Sequence, residues 1–254
     1  MKLTIITVVK NAINSIEHCI NSVQQQTYKN VEHLIIDGKS IDGTTELIQS
    51  IISKPCKIKI RHFVKEDSSL WQAMNTGISL STGLYICFLN SDDIFFDEDV
   101  LGVVQRKLFN SNLDGVYGDV LIGKFSRNNS FELKRKYSVD KLSIDYLRRG
   151  IMPPHPGCFI SNNLISKVGG FSLSWKDVPP DFELFVVLAK QDANIIHVPS
   201  NFVKMSILGL SHRNYIYIIK RPMRQFRALR NNHISANIFL IYFMKLRKLW
   251  QYYF

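Results

Sequence analysis

The sequence predicts an α/β protein, a mixed, mainly parallel sheet flanked by helices and followed by a basic helical tail. Three observations carry that expectation. Apolar, β-rich runs alternate with stretches of helical spacing through the first half of the chain, which implies parallel strands joined by right-handed crossovers. The stretch L-Y-I-C-F-L-N-S-D-D at 84–93 is apolar through six residues, as in a strand buried on both faces, and then stops abruptly on Asn90, Ser91, Asp92 and Asp93. The net charge of +11 is concentrated at one end, because no Asp or Glu follows Asp192 while Lys204, Arg213, Lys220, Arg221, Arg224, Arg227, Arg230, Lys245, Arg247 and Lys248 do.

Taken in order, residues 3–9 (L-T-I-I-T-V-V) form a buried strand. Asn14 or Ser15 caps a helix whose Ile16, Cys19, Ile20 and Val23 share one face. A second strand over 31–36 ends on Asp37, a loop rich in turn residues covers 38–44, and a helix covers 45–52. A strand over 57–64 and a helix over 70–80, with Gly77 inside it, lead to Gly83 and the central strand. Beyond it the pattern gives a helix over 98–109, strands over 114–122 and 131–137, a helix over 140–149, and an extended or turned run over 152–160 fixed by three prolines. V-G-G-F at 168–171 is a turn, 181–190 a helix led by Pro180, and 194–198 and 202–208 two strands. Apolar and basic residues then alternate on helical faces over 212–232 and 234–254, which suits an anionic surface. The first of these helices is expected to pack on the core and the last to bind the surface.

The totals narrow the function. Cys19, Cys56, Cys87 and Cys158 are widely spaced, against a zinc site or a disulfide framework. No apolar run approaches the ~20 residues needed to span a bilayer, so a cytoplasmic protein is expected. In a parallel sheet the ends carrying Asp37, Asp92 and Asp93 meet at one edge, where open α/β sheets bind ligands. Grouped carboxylates there are costly without a cation, and Mg²⁺ or Mn²⁺ with a nucleoside diphosphate answers that need. An acidic turn capping the next helix answers it as well. His155, between two prolines, fits a structural or an active-site role, and Asp181 on its residues alone reads as a helix cap.

The motifs I-I-D-G-K-S-I-D-G-T, A-M-N-T-G-I-S-L-S-T-G-L-Y-I-C-F-L-N-S-D-D, P-P-H-P-G-C-F, V-G-G-F and D-F-E-L-F occur in that order. In this the chain resembles the family 2 glycosyltransferases of the Rossmann-like GT-A fold, particularly bacterial ones building O-antigen and other surface polysaccharides. The resemblance covers about residues 1–210 and implies a catalytic domain there, with a nucleotide half over 1–93 and an acceptor half over 94–210, leaving 211–254 as a basic amphipathic extension. It places Thr7, Val9, Asp37, Asp67, Asn90 and Ser91 at the nucleotide, Asp92, Asp93 and His212 (in a loop over the donor) at a divalent metal (Mn²⁺ or Mg²⁺), His155 at the acceptor, and Asp181 as general base. It implies a UDP-sugar donor and a lipid-linked sugar acceptor, reached from the inner face of the membrane, with no nucleic-acid partner. Departures from the family pattern are Asn90 for an acid, Gln72 and Thr76 for an acid and a lysine, and Pro179 and Pro180 before the catalytic Asp. Competing readings are a polyprenyl-monophosphate glycosyltransferase and a basic nucleic-acid-binding protein.

Overall fold

A computed structural model describes residues 1–67, 69–126, 130–174, 177–207 and 215–250, with the side chains of 215–219 and 245–250 outside it. Strands β1 (Leu3–Val9), β2 (Val31–Asp37), β3 (Lys59–Val64) and β4 (Tyr85–Phe88) alternate with helices α1 (Ile16–Gln24), α2 (Thr44–Ile52) and α3 (Leu70–Leu80). Then follow β5 (Ile94–Phe95), α4 (Val100–Leu108), β6 (Gly115–Phe125), β7 (Phe131–Tyr137), α5 (Ile144–Arg148), β8 (Cys158–Ser161), α6 (Asn162–Lys167), α7 (Pro180–Lys190) and β9 (Ile195–Ser206). Helices α8 (Tyr215–Asn231) and α9 (Ile238–Trp250) end the described chain.

All nine strands make one sheet, in the order β3-β2-β1-β4-β8-β6-β9-β5 with β7 on β6. β1 pairs in parallel with β2 and β4, β2 with β3, and β6 with β9, while β8 runs antiparallel between β4 and β6. The carboxyl ends of β1, β2 and β4 therefore share one edge, as the alternating pattern requires. β1 and β2 are buried on both faces, which is why they read as unbroken apolar runs. One core cluster holds Ile5, Ile20 and Phe202, and the other Phe88, Phe159's neighbour Cys158, Phe171 and Phe182. Gly77 lets α3 lie against β1, since a Cβ there would come within 2.5 Å of Ile6 Cγ2.

Several elements differ from expectation. β8 and α6 occupy the end of the proline-rich run and the residues after it, where turn residues mask a four-residue buried strand. β5 is too short to show a period, and the helix expected over 140–149 is only Ile144–Arg148. The strands expected over 194–198 and 202–208 are one strand, β9, whose register shifts opposite Tyr117 to Val120. Pro199 lies at that irregularity, a place where a strand tolerates a missing N–H. Helix α8 buries Ala228 and Leu229 in the same cluster as Phe182 of α7, and α9 buries Ile241 there too. Pro222 lies inside α8. Among the described residues no helix is long and apolar enough to cross a membrane.

Candidate active site

The edge at the carboxyl ends of β1 and β2 is built from side chains that mostly bond to one another. Thr7 is fully buried, its hydroxyl 2.9 Å from His33 Nε2, and so faces the core rather than the edge. Val9, in register with Asp37, is buried as well. Asp37 is inaccessible. It accepts the Ser40 N–H at 2.9 Å, the Ser40 hydroxyl at 2.7 Å and the Thr45 hydroxyl, and His62 Nε2 lies 3.7 Å away. Its carboxylate thus closes the loop between β2 and α2. Asp67 accepts the Thr76 hydroxyl at 3.3 Å, while its buried Oδ2 has no hydrogen-bond partner among the described residues.

The end of the central strand divides its two acids. Asp93 is buried and accepts Asn90 Nδ2 at 2.7 Å and the Ser206 N–H at 3.1 Å. Burial first, then the charge of Asp92, drive its carboxyl well above the usual range, against the pull of those two bonds. Asp92 is half-buried on the turn beside it. Among the described residues no three His, Cys, Asp or Glu side chains gather as a metal cage. A single accessible carboxylate at a strand end still matches a hard divalent ion that draws its remaining ligands from substrate phosphates and water. On this test Asp92 fits that ion, with Asp93 holding the turn. His212 lies outside the described residues.

Asp181 occupies the first turn of α7, after Pro179 and Pro180, with Oδ1 accepting the Phe182 N–H at 2.8 Å. It is half-buried, and it neighbours His155 closely enough for its charge to act on that ring. Burial outweighs that charge and lowers the His155 imidazole below its ordinary range. The His155 ring stacks on Phe88 at 5.2 Å and meets Phe171 edge-on at 5.4 Å, with Trp71 6.5 Å away. His155 Nε2 is buried without a hydrogen-bond partner among the described residues. Phe88 stands two residues before Asn90, so the His155 ring packs on the strand that leads into the Asn90–Asp93 turn. His155 thus packs on the strand that leads to Asp92 and lies within reach of the Asp181 charge, while Thr7 is in the core.

A sequence-family model for glycosyl transferase family 2 matches residues 4–167. The chain belongs to that family. The family match ends before α7, so it does not reach Asp181. The chain is 28% identical over 178 residues to a PGL/p-HBAD biosynthesis glycosyltransferase of Mycobacterium bovis, a match covering 70% of this chain and 62% of that protein. Two solved glycosyltransferase structures share the fold. S. aureus TarS 1-349 in complex with UDP-GlcNAc has a TM-score of 0.65 at 15% identity, over 91% of this chain and 67% of that one. The mannosyltransferase PcManGT of Pyrobaculum calidifontis, in complex with GDP-Man and Mn²⁺, has a TM-score of 0.67 at 16% identity, over 93% and 65%.

In this family 2 chain one positioning residue was not singled out by sequence. Asn75 Nδ2 donates to the Phe171 carbonyl and Asn75 Oδ1 accepts the Phe171 N–H, both at 2.8 Å. This clamp ties α3 to the V-G-G-F turn and fixes the aromatic wall of the site. Gly170, at φ +67, is required there, because a Cβ would lie 2.5 Å from Asn75 Oδ1. The signal was present in A-M-N-T-G and V-G-G-F, although neither motif alone says that they touch.

Proposed function

We propose that the protein is an inverting glycosyltransferase that moves a sugar of the glucose, galactose or N-acetylglucosamine class from a UDP-sugar to a polyprenyl-diphosphate-linked sugar in bacterial surface-polysaccharide (O-antigen) synthesis. The observation that carries this reading is Asp181 at the head of α7, its charge acting on His155, whose ring stacks on Phe88 of the strand leading to the Asn90–Asp93 turn. A base and a diphosphate-type site then face one region, as a single displacement needs. Domain assignment follows, with 1–210 catalytic and 211–254 an extension meeting an anionic membrane surface from the cytoplasmic side.

In this mechanism the Asp181 carboxylate takes the proton of the acceptor hydroxyl as that oxygen attacks C1 of the donor sugar. The new C1–O bond forms, the bond from C1 to the diphosphate breaks, and UDP leaves with the electron pair. One displacement inverts the anomeric centre without a covalent intermediate. The Phe182 N–H holds the carboxylate in place, and the part-exposed Trp71 ring, backed by the buried Phe171 and His155, is a surface against which a sugar ring can lie. A divalent ion held by Asp92 would neutralise charge on the leaving diphosphate.

The test is a donor screen with UDP-glucose, UDP-galactose, UDP-N-acetylglucosamine and GDP-mannose on a synthetic sugar-diphosphate-lipid, with Mn²⁺ or EDTA. Transfer from one UDP-sugar, with inversion seen by NMR and loss in EDTA, is expected. Transfer with retained anomeric configuration would sink the mechanism, and transfer only from GDP-mannose would sink the donor assignment.

A further inference from the structure

We infer that Arg135 of β7 and Arg221 of α8 form a diphosphate-binding site beside Asp181, which holds the diphosphate of the lipid-linked acceptor. The inference rests on the acceptor class proposed above and adds the residues that would recognise it.

Arg135 covers Tyr137, and the helix that carries Arg221 packs against the loop to which the Tyr137 hydroxyl is bonded. Arg135 lies two residues away on the same strand face, with its guanidinium 5.6 Å from the Tyr137 ring centroid. The Tyr137 hydroxyl donates to the Met152 carbonyl at 2.8 Å, so the ring is fixed as a floor. Helix α8 lies against this loop, since the buried Gln225 donates to the Gly150 carbonyl at 3.3 Å. Arg221 is one turn before Gln225 on the same helix face. Burial raises the Tyr137 hydroxyl, the charges of Arg221 and Arg135 act against that rise and the charge of Asp181 adds to it, so all three act on that one ring.

Two other α8 arginines are engaged by one acid. Asp177 takes Arg227 at 3.1 Å and Arg224 at 3.8 Å, whereas Arg221, half-buried, has no ion pair among the described residues. A half-buried guanidinium beside a second one, with no acid in the chain beyond Asp192, is suited to a ligand with two adjacent anionic centres. Guanidinium forks pair bidentately with phosphate oxygens, and two such forks match the two phosphates of a diphosphate. Helix α9, whose Ile241 packs against the same Gly150, exposes Phe239, Leu240 and Phe243 as an apolar surface for the attached chain. Phosphates of an anionic bilayer share this chemistry, so the experiment must separate the two sources.

Farnesyl diphosphate would be titrated calorimetrically into the full chain saturated with UDP, with farnesol as the uncharged control. Binding of the diphosphate but not of farnesol, weakened about tenfold or more by Arg221→Gln and further by adding Arg135→Gln, is expected. Arg221→Lys should recover only part, and UDP affinity should not change. Arg221→Gln alone, on a half-exposed helix position, covers the case in which the double variant fails to fold. Equal farnesyl diphosphate affinity in wild type and Arg221→Gln would overturn the inference. So would an unchanged affinity accompanied by loss of sedimentation with phosphatidylglycerol vesicles, which would assign the arginines to the bilayer. The titration needs no turnover, so a donor screen without transfer would refute the proposed reaction and leave this result readable.

Discussion

The carboxylate of Asp93 accepts the backbone N–H of Ser206 at 3.1 Å, joining the turn after the central strand to the end of β9, 113 residues later. Its other oxygen takes Asn90 Nδ2, so one buried side chain fixes both the turn that carries Asp92 and the point from which the chain leaves for 208–214. Replacing Asp93 by Ala strips two donors of their acceptor, at about 1–3 kcal/mol for each group left buried and unsatisfied. A lower Tm and a raised KM for the donor are expected, with the acceptor KM less affected. Asp93→Asn retains one acceptor oxygen and should fall between. An Asp93→Ala protein as stable as wild type, with normal donor KM, would remove the positioning role.

Asp181→Asn keeps the size of the side chain and the oxygen that accepts the Phe182 N–H, but cannot take a proton. A kcat loss of about 10²–10⁴ is expected, with UDP affinity and Tm near wild type. Calorimetry with UDP and a turnover assay on one preparation separate the two. Near-normal turnover would assign proton transfer elsewhere and leave Asp181 as the first-turn acid of α7.

Most of the parallel half was legible because β1 and β2 are buried on both faces and read as continuous apolar runs, and because α1 and α3 keep one apolar stripe each. The site edge followed from the same logic, since parallel strands place Asp37 and Asp92 on one side. The acceptor half was harder to read. β8 is only four residues long and lies after prolines, and β9 carries Pro199 at an irregularity that mimics a turn between two strands. Periodicity also cannot tell an inward acid from an outward one. Asp93 and Asp92 are adjacent in sequence, yet one is buried, held by Asn90 and Ser206, and the other is half-accessible.

The acid limb of stability is expected to begin with a histidine. Burial holds the His33 imidazole down to about 3 from an ordinary 6.5. Between those values the unfolded chain binds a proton that the fold refuses, so stability falls as pH drops from about 6.5. Glu32 adds to the same limb at lower pH. Burial pushes its carboxyl up, but hydrogen bonds from Thr82 and Thr4 and the Lys2 ammonium outweigh this and hold it near about 2 rather than 4.5. Its contribution is present above pH 4.5 and is lost as pH falls toward 2. His33→Gln cannot titrate, so urea unfolding at pH 7, 5.5 and 4.5 should show a smaller loss for that variant than for wild type. Equal slopes would mean that His33 is already protonated in the fold.

Helix α9 has a buried side and an exposed apolar side that separate variants can distinguish. Ile241 is fully buried, and it packs against Gly150, whose φ of +69 leaves no room for a Cβ between Gln225 and Ile241. Phe239, 80% exposed, and Phe243, 61% exposed, lie on the outward side of the same helix. Truncation after Asn232 removes both parts, so it should cost stability as well as any membrane binding, by about 2–5 kcal/mol if Ile241 behaves as an ordinary large-to-small core change. Phe239→Ser with Phe243→Ser touches only the exposed side. That pair should melt like wild type yet sediment less with phosphatidylglycerol vesicles, since an interfacial helix binds by its apolar side together with attraction of its basic residues to anionic lipid. Uncharged phosphatidylcholine vesicles should retain little of either protein. Undiminished sedimentation of the double serine variant would move membrane contact away from α9, and a large drop in its Tm would show that these rings support the core.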